Sequence, residues 1–256
     1  METPTGQQPP AIFSKLRRMN EYLSHDFLGG PRLLKLSWVI NLQKGGTLAF
    51  VFLLMALYDN YSVAAWVYLA LHGTYGLCWL LKHLAFRDPS WEVRVTFGGA
   101  LNAWLLVLGP YWVAPFLLIS SVLGPGYPDP SPALISLTIG LHTLGVVVMM
   151  ASDCQKHFTL RQKRGLITDG MFRYVRHPNY LGEMMLYAAY ALLVQHWIPW
   201  AILAWVWGNV FLTNMVMKEA SLSRYPEWAD YKARTGMLLP RVWRTSRVQS
   251  LAPPAP

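Results

Sequence analysis

Apolar residues in this chain gather in long unbroken runs instead of the alternating or three-to-four spaced stripes of a soluble fold. Gly45 to Tyr58, Ser62 to Leu81, Phe97 to Leu123 and Ala133 to Ser152 are four such runs, and a fifth extends from Leu181 to Met217 with a break near Gln195 to Pro199. A bilayer core takes about 20 helical residues, so the fifth run predicts two helices folded back on each other. The first run is short and predicts a helix reaching back to about Leu36, across the polar Asn41, Gln43 and Lys44. The pattern therefore predicts an all-α, polytopic membrane protein with about six transmembrane helices, within a range of five to seven.

Composition agrees. Hydrophobic residues make up 54% of the 256 and charged residues 14%, against about 25% charged in soluble domains, and the mean hydropathy is positive. Every Lys and Arg except Lys44 falls in the amino-terminal tail, in Lys82 to Arg94, in Lys156 to Arg176, or from Lys218 onward. The alternate connections, Asp59 to Tyr61, Gly124 to Pro132 and Gln195 to His196, carry none. Positively charged loops stay on the cytoplasmic side, which places both termini there and requires an even number of spans. A net charge of +9 then follows from topology and attraction to anionic headgroups, with no nucleic-acid partner implied.

The expected organisation is a single unit: a cytoplasmic tail over 1–35, a four-helix membrane half over 36–152, a second half over 153–243 with a cytoplasmic loop, two helices and a tail, and a flexible carboxyl end over 244–256. Met1 to Gly30 lacks the apolar core of a cleavable signal, and the Pro-containing start and Leu251 to Pro256 read as loose ends. Cys78 and Cys154 lie too far apart in the expected topology to form a disulfide, and no metal-ligand spacing is present.

Polar groups inside a membrane are costly and mark function or packing. Thr138, His142, Gly145, Met149 and Asp153 share one face of the fourth span, and Tyr180, Glu183, Tyr187 and Tyr190 share one face of the fifth. Helix packing with satisfied hydrogen bonds accounts for any single Thr, His or Tyr among them. Glu183, an isolated carboxylate one turn inside a membrane helix, needs a partner or a proton and is the strongest functional candidate.

Between those spans, Asp153, Gln155, Lys156, His157, Arg161, Lys163, Arg164, Arg173, Arg176 and His177 crowd into 25 residues, interrupted by Gly165 and Gly170. Phe172, Tyr174 and Tyr180 follow as aromatics able to pack on a nucleotide ring. Arginine grips phosphate with a bidentate fork and lysine adds a point charge, so the loop suits a phosphate-bearing cofactor. No Walker-type or GxGxxG glycine loop occurs. A second cytoplasmic piece, Lys218 to Trp243, mixes charge with Tyr225, Trp228 and Tyr231, as a lid or an interfacial anchor would.

The block Asp153, Gln155 and Lys156, then Gly170 to Tyr174, then Arg176 to Glu183, and the tail of Trp228, Tyr231, Leu238, Leu239 and Pro240 resembles the carboxy-terminal domain of the steroid 5-alpha-reductase superfamily, including its DUF1295-like and membrane sterol reductase-like members. The resemblance covers about a third of the chain, from Asp153 to Pro240. It implies an NADPH-dependent reductase of a conjugated carbon–carbon double bond in a lipid, with the endoplasmic reticulum as the default membrane. Carried over position by position, it implies that Asp153, Lys156, Arg173, Arg176, His177, Asn179, Tyr180 and Glu183 hold the cofactor, with Tyr231 and Arg234 closing over it. Glu183, Tyr180 and His142 are the catalytic candidates. The acid that polarises the substrate carbonyl has no matching motif in the first half, where Glu92, Tyr75 and His142 are candidates. The Arg-His-Pro-x-Tyr-x-Gly block is also similar to that of membrane methyltransferases of the isoprenylcysteine and phospholipid type, which would use His177, Tyr180, Gly182 and Glu219 to hold S-adenosylmethionine. Asn179, Glu183 and the Asp153 block match the reductases.

Overall fold

In the computed structural model, which describes residues 6–124 and 126–241, the chain is a bundle of long helices. Helix α1 spans Ala11–Glu21 and α2 Leu36–Leu57. Helix α3 covers Val63–Phe86, α4 Phe97–Ile119 and α5 Pro132–Gln162. Helix α6 is Pro178–Val194, α7 Trp197–Leu222 and α8 Trp228–Arg234. Five of these, α2 to α5 and α7, are long and apolar enough to cross a membrane. Helix α6, of 17 residues, is about 26 Å long, close to the ~30 Å hydrocarbon core. Large apolar side chains such as Phe52, Leu57, Leu84, Leu105 and Leu144 point outward, as a lipid environment allows.

Local chemistry starts and stops the helices. Ser62, Thr96 and Ser131 accept hydrogen bonds from the backbone N–H three residues on, so each caps a helix that leaves a connection. Gln195 turns left-handed, with φ of 55°, and separates α6 from α7 within a two-residue connection. The expected fold-back of the last apolar run is therefore present.

Both ends of the bundle are tied. At one end a two-stranded pairing joins β1 (Leu34–Lys35) to β2 (Arg94–Val95), Arg17 donates to Asn214 at 2.5 Å, Lys156 meets Asp88 at 3.3 Å, and Arg176 meets Glu219 at 2.6 Å. At the other, Asn60 donates to the Ile119 carbonyl at 2.9 Å and Tyr127 to that of Gln195. Since α1, the start of α2 and α8 all gather at the first end, the chain traverses the bundle six times, with α6 as the shortest crossing.

Two segments differ from the sequence expectation. Helix α5 continues through Gln162, well past Ser152; no Gly or Pro interrupts it before Gly165, so Asp153, Gln155, Lys156 and Arg161 ride a helix instead of a loop. The amino-terminal tail, expected to be loose, forms α1 along the carboxyl half of α7. The expected flexible end, including Leu251 to Pro256, lies outside the described residues.

The tightest crossing is α5 against α6. A Cβ on Gly145 would stand 2.7 Å from the Gly182 carbonyl oxygen, and one on Gly182 would stand 2.5 Å from that of Gly145. Without a solvent-driven hydrophobic effect, membrane helices associate through such close backbone approach. Gly182→Val is expected to force the pair apart and cost about 1–3 kcal/mol, measured as lost thermal stability in detergent, whereas Gly140→Val, where a Cβ meets open space, changes little.

Candidate functional site

The α5 stripe expected from sequence faces the protein interior: Thr138, His142, Gly145, Met149 and Asp153 are all buried. Opposite it, Tyr187 and Tyr190 on α6 are buried and Glu183 is partly so. Helices α2 and α3 complete the enclosure and add polar groups of their own, giving a ladder down the bundle. Lys82 near the end of α3 forms a buried ion pair with Asp153. Glu183 stands on α6, partly buried, one turn before Tyr187. One further turn down, Lys44 donates to the Tyr187 hydroxyl. Deepest, Tyr68 and His72 lie 3.1 Å apart, His72 stacks on Tyr190 at 4.3 Å, and His142 bonds Tyr190 at 3.0 Å.

At the end that carries the β1–β2 pairing, a second cluster surrounds Glu219. Its carboxylate meets Arg176 at 2.6 Å, His177 at 3.6 Å and Lys232 at 3.4 Å. Arg176 also donates to the carbonyl of Thr235, so the guanidinium joins α6, α7 and the tail. Backbone pairing reinforces this. The N–H groups of Arg176 and His177 donate to the carbonyls of Gly236 and Met237 at 2.9 and 3.1 Å, and the Tyr231 hydroxyl donates to the Phe172 carbonyl at 2.8 Å. Burial pushes the Tyr231 phenol up to about 12. The His177 imidazole is shifted down by burial despite the neighbouring carboxylate, so its neutral form is favoured.

The residues singled out from the sequence divide among these places. Asp153 and Glu183 stand on the ladder, and His142 at its foot. Arg176, His177 and Tyr231 build the Glu219 cluster, and Tyr180 packs edge-on to Phe211 at 4.9 Å beside it. Asn179 is half-buried at the first turn of α6. Lys156 pairs with Asp88, whose carboxyl burial alone would raise but which Lys156 and Ser90 hold at about 2. Arg173 and Arg234 are exposed, their guanidinium groups 5.5 Å from the Tyr174 ring and 5.9 Å from that of Tyr231. Of the candidates for the substrate-polarising acid, Tyr75 is fully buried beside Lys44, whereas Glu92 pairs with Lys35 at 2.9 Å beside the β1–β2 pairing. Gln155 ties the turn at Gly170, accepting from the Met171 N–H at 2.8 Å.

Sequence reasoning did not assign a role to Lys44 or pair Lys82 with Asp153. The available signal for Lys44 was its isolation, the one cation outside the basic segments. A groove of about 630 Å³ also opens between α1 and α7, lined by Arg17, Arg18, Asn214 and Lys218. Asn214 lies one turn from Phe211, so this groove adjoins Tyr180. Among the described residues, no cluster of three His, Cys, Asp or Glu side chains could hold a metal ion.

Fold and site together define an all-α integral membrane protein with a polar interior leading down from a cation-rich end. Residues 31–235 match the family described as a protein of unknown function (DUF1295), and the chain belongs to that family. It is similar to an uncharacterized protein of Schizosaccharomyces pombe, 26% identical over 164 residues that cover 63% of this chain and 55% of the relative. A second uncharacterized protein of the same yeast is 29% identical over 94 residues, covering 34% of this chain and 27% of the relative. The chain thus spans about half, or less, of the length of these curated relatives. No solved structure matches it.

Proposed function

We propose that the protein is an NADPH-dependent membrane reductase of the steroid 5-alpha-reductase superfamily, saturating a carbon–carbon double bond conjugated to a carbonyl in a lipid. The observation that carries this reading is the polar ladder from Lys82 and Asp153 through Glu183 to Lys44 and Tyr187. It connects a cation-rich end, suited to a polar reductant on the cytoplasmic side, with proton-bearing groups at a depth only a lipid substrate reaches. The endoplasmic reticulum is the membrane that family analogy suggests.

NADPH, when bound, supplies hydride. Among the residues present, Arg18 and Lys218 line a groove within the volume range of cofactor sites, beside Glu21 and the Arg17 that pairs with it, and Arg173 and Arg234 stay open at the same end, so these four cations would meet the phosphates. Arg176 and His177 would act differently, since Glu219 engages both: they hold the tail against the start of α6 and so shape the site's rim. Asn179 and Tyr180, at that rim, would contact the cofactor, and Glu183 would carry a proton between the rim and Lys44.

Methyl transfer from S-adenosylmethionine is the second reading, and two features disfavour it. Glu219, which would bind the cofactor's ammonium group, has its carboxylate taken up by Arg176 and Lys232, and the open face of Gly182 is filled by the backbone of Gly145 and Met149. Incubating purified protein with membrane lipids tests the choice: mass spectrometry should show a lipid enone gaining two hydrogens when NADPH is supplied. Methyl gain with S-adenosylmethionine, and no NADPH-dependent product, would refute reduction.

A further inference from the structure

Helix α1 is tethered to the bundle without being packed into it. Its links to α7 are polar: the Gln7 N–H just before it donates to the Ser223 hydroxyl at 2.5 Å, Arg17 donates to Asn214 at 2.5 Å, and Asn20 donates to the Asn209 carbonyl at 3.3 Å. The partners run backward from Ser223 to Asn209, so α1 lies antiparallel to α7 and descends about 20 Å along it from the cation-rich end. Beyond it the chain turns back. Asn102 on α4 donates to the Leu23 carbonyl at 3.0 Å, and the Thr96 N–H donates to that of His25 at 2.9 Å, which returns the backbone toward the end it came from. A segment that enters and leaves on one side, against the outside of α7 and α4, stands at the level of the lipid headgroups and the upper acyl chains.

No side chain of α1 is buried. Positions three and four apart share a helix face, and Ile12, Lys15, Met19 and Tyr22 form such a series on the side turned away from Arg17 and Asn20. Ile12, Met19 and Tyr22 are 65%, 43% and 54% exposed, with Lys15 and Arg18 exposed beside them. Lys15, Arg17 and Arg18 against Glu21 leave the helix positive, and among the described residues neither Lys15 nor Arg18 has an ion-pair partner. A helix this short is marginal in water on its own, and nothing in the fold covers its apolar strip. Large apolar side chains beside unpaired cations form the pattern of a helix lying in a membrane surface. The apolar groups sink among acyl chains, the lysine stem lets its charge reach the headgroups, and a tyrosine ring suits the boundary. A second copy of this chain fits the strip poorly, because it would bring the same cations face to face.

We propose that the outer face of α1 docks on anionic phospholipids of the leaflet at the cation-rich end, and that this contact sets the groove between α1 and α7. Lys15 meets the lipid headgroups, while Ile12, Met19 and Tyr22 hold the helix at its depth. The other side of the same helix supplies Ser14, Arg17 and Glu21 to the groove, across from Asn214 and Lys218. Since no core residue fixes α1, a lipid that orders its outer face also orders this wall. Nucleotide in the groove and anionic lipid outside it then bind cooperatively. That coupling rests on the reductase reading, whereas the lipid contact stands without it.

Hydrogen exchange of the α1 amides without nucleotide tests the contact. The full chain is placed in nanodiscs of phosphatidylcholine alone and of phosphatidylcholine mixed with phosphatidylserine. Exchange across α1 should be about fivefold slower in the anionic discs, the worth of one basic side chain at such a surface, and added salt should reverse the gain. Lys15→Gln should abolish it, whereas Lys163→Gln, which removes an exposed cation just past α5, should leave it intact. The amides of α6 report whether each variant has folded, and the salt response of the native protein needs no variant. Equal exchange in the two discs, or a gain that survives both salt and Lys15→Gln, overturns the proposal. Protection that follows the number of chains per disc instead of phosphatidylserine assigns the face to a second copy and overturns it as well. Thermal titration with NADPH in both discs reads the coupling, with stabilisation expected at about fivefold lower nucleotide in the anionic discs. Slowed exchange with no NADPH response sustains the lipid contact and overturns the reductase reading, and an equal NADPH response in both discs overturns the coupling.

Discussion

Glu219→Ala is expected to lower the stability of the detergent-solubilised protein by about 3–5 kcal/mol, the usual consequence of stripping one partner from a buried ion pair. Arg176 and Glu219 are 7% exposed each, so the guanidinium cannot turn to water for replacement. Its remaining partners are the backbone carbonyls of Lys232 and Thr235, the Thr235 hydroxyl and the Trp228 ring, which satisfy hydrogens but provide no countercharge. Three elements would loosen together, because Arg176 begins the approach to α6, Glu219 belongs to α7, and Thr235 ends α8. The tail should become sensitive to protease at the same time. Replacing both ions, as in Arg176→Met with Glu219→Leu, removes the desolvation cost along with the attraction and should recover most of the loss. A drop below about 1 kcal/mol for Glu219→Ala would mean that the pair behaves as a solvent-exposed one.

Asp153→Ala should cost a similar amount, about 3–5 kcal/mol, by leaving the Lys82 ammonium alone in the upper rung of the ladder. Lys82 has 9% of its side chain exposed, and its other close neighbour is the Trp79 ring at 4.5 Å, a weak substitute for a carboxylate. The prediction separates two roles for Asp153. As a cofactor ligand, the role its sequence block implies, its removal would weaken NADPH binding and leave stability intact. As the partner of Lys82, its removal destabilises the protein with or without nucleotide, and Lys82→Met on the Asp153→Ala background restores part of the loss. Melting curves of the single and double variants, with and without NADPH, decide between them.

Much of the architecture was legible because membrane folding leaves so few options. Run length gave the spans, the absence of cations from alternate connections gave an even number of crossings, and helical spacing correctly grouped Thr138, His142, Gly145, Met149 and Asp153 on a face buried against α6. Extension of α5 to Gln162 was missed because the run of charge after Ser152 resembles a loop, although nothing in it breaks a helix. The site was less legible for a different reason. Arg176 meets Glu219 across 43 residues and Lys82 meets Asp153 across 71, and no periodicity within either helix encodes such a pairing. Arg176 looked like a free cation at a membrane entrance, whereas its charge is consumed inside the fold. Lys44 looked like a flaw in a short first span until α3, α4 and α6 brought four aromatic rings around it.

Thermal stability with each of the two rival cofactors tests the central claim most directly. A ligand that binds the native state alone stabilises it by about 2.7 kcal/mol at a hundredfold excess over its dissociation constant. NADPH should therefore raise the melting temperature of the purified protein clearly, and S-adenosylmethionine should leave it where it was. Stabilisation by S-adenosylmethionine with indifference to NADPH would contradict the account.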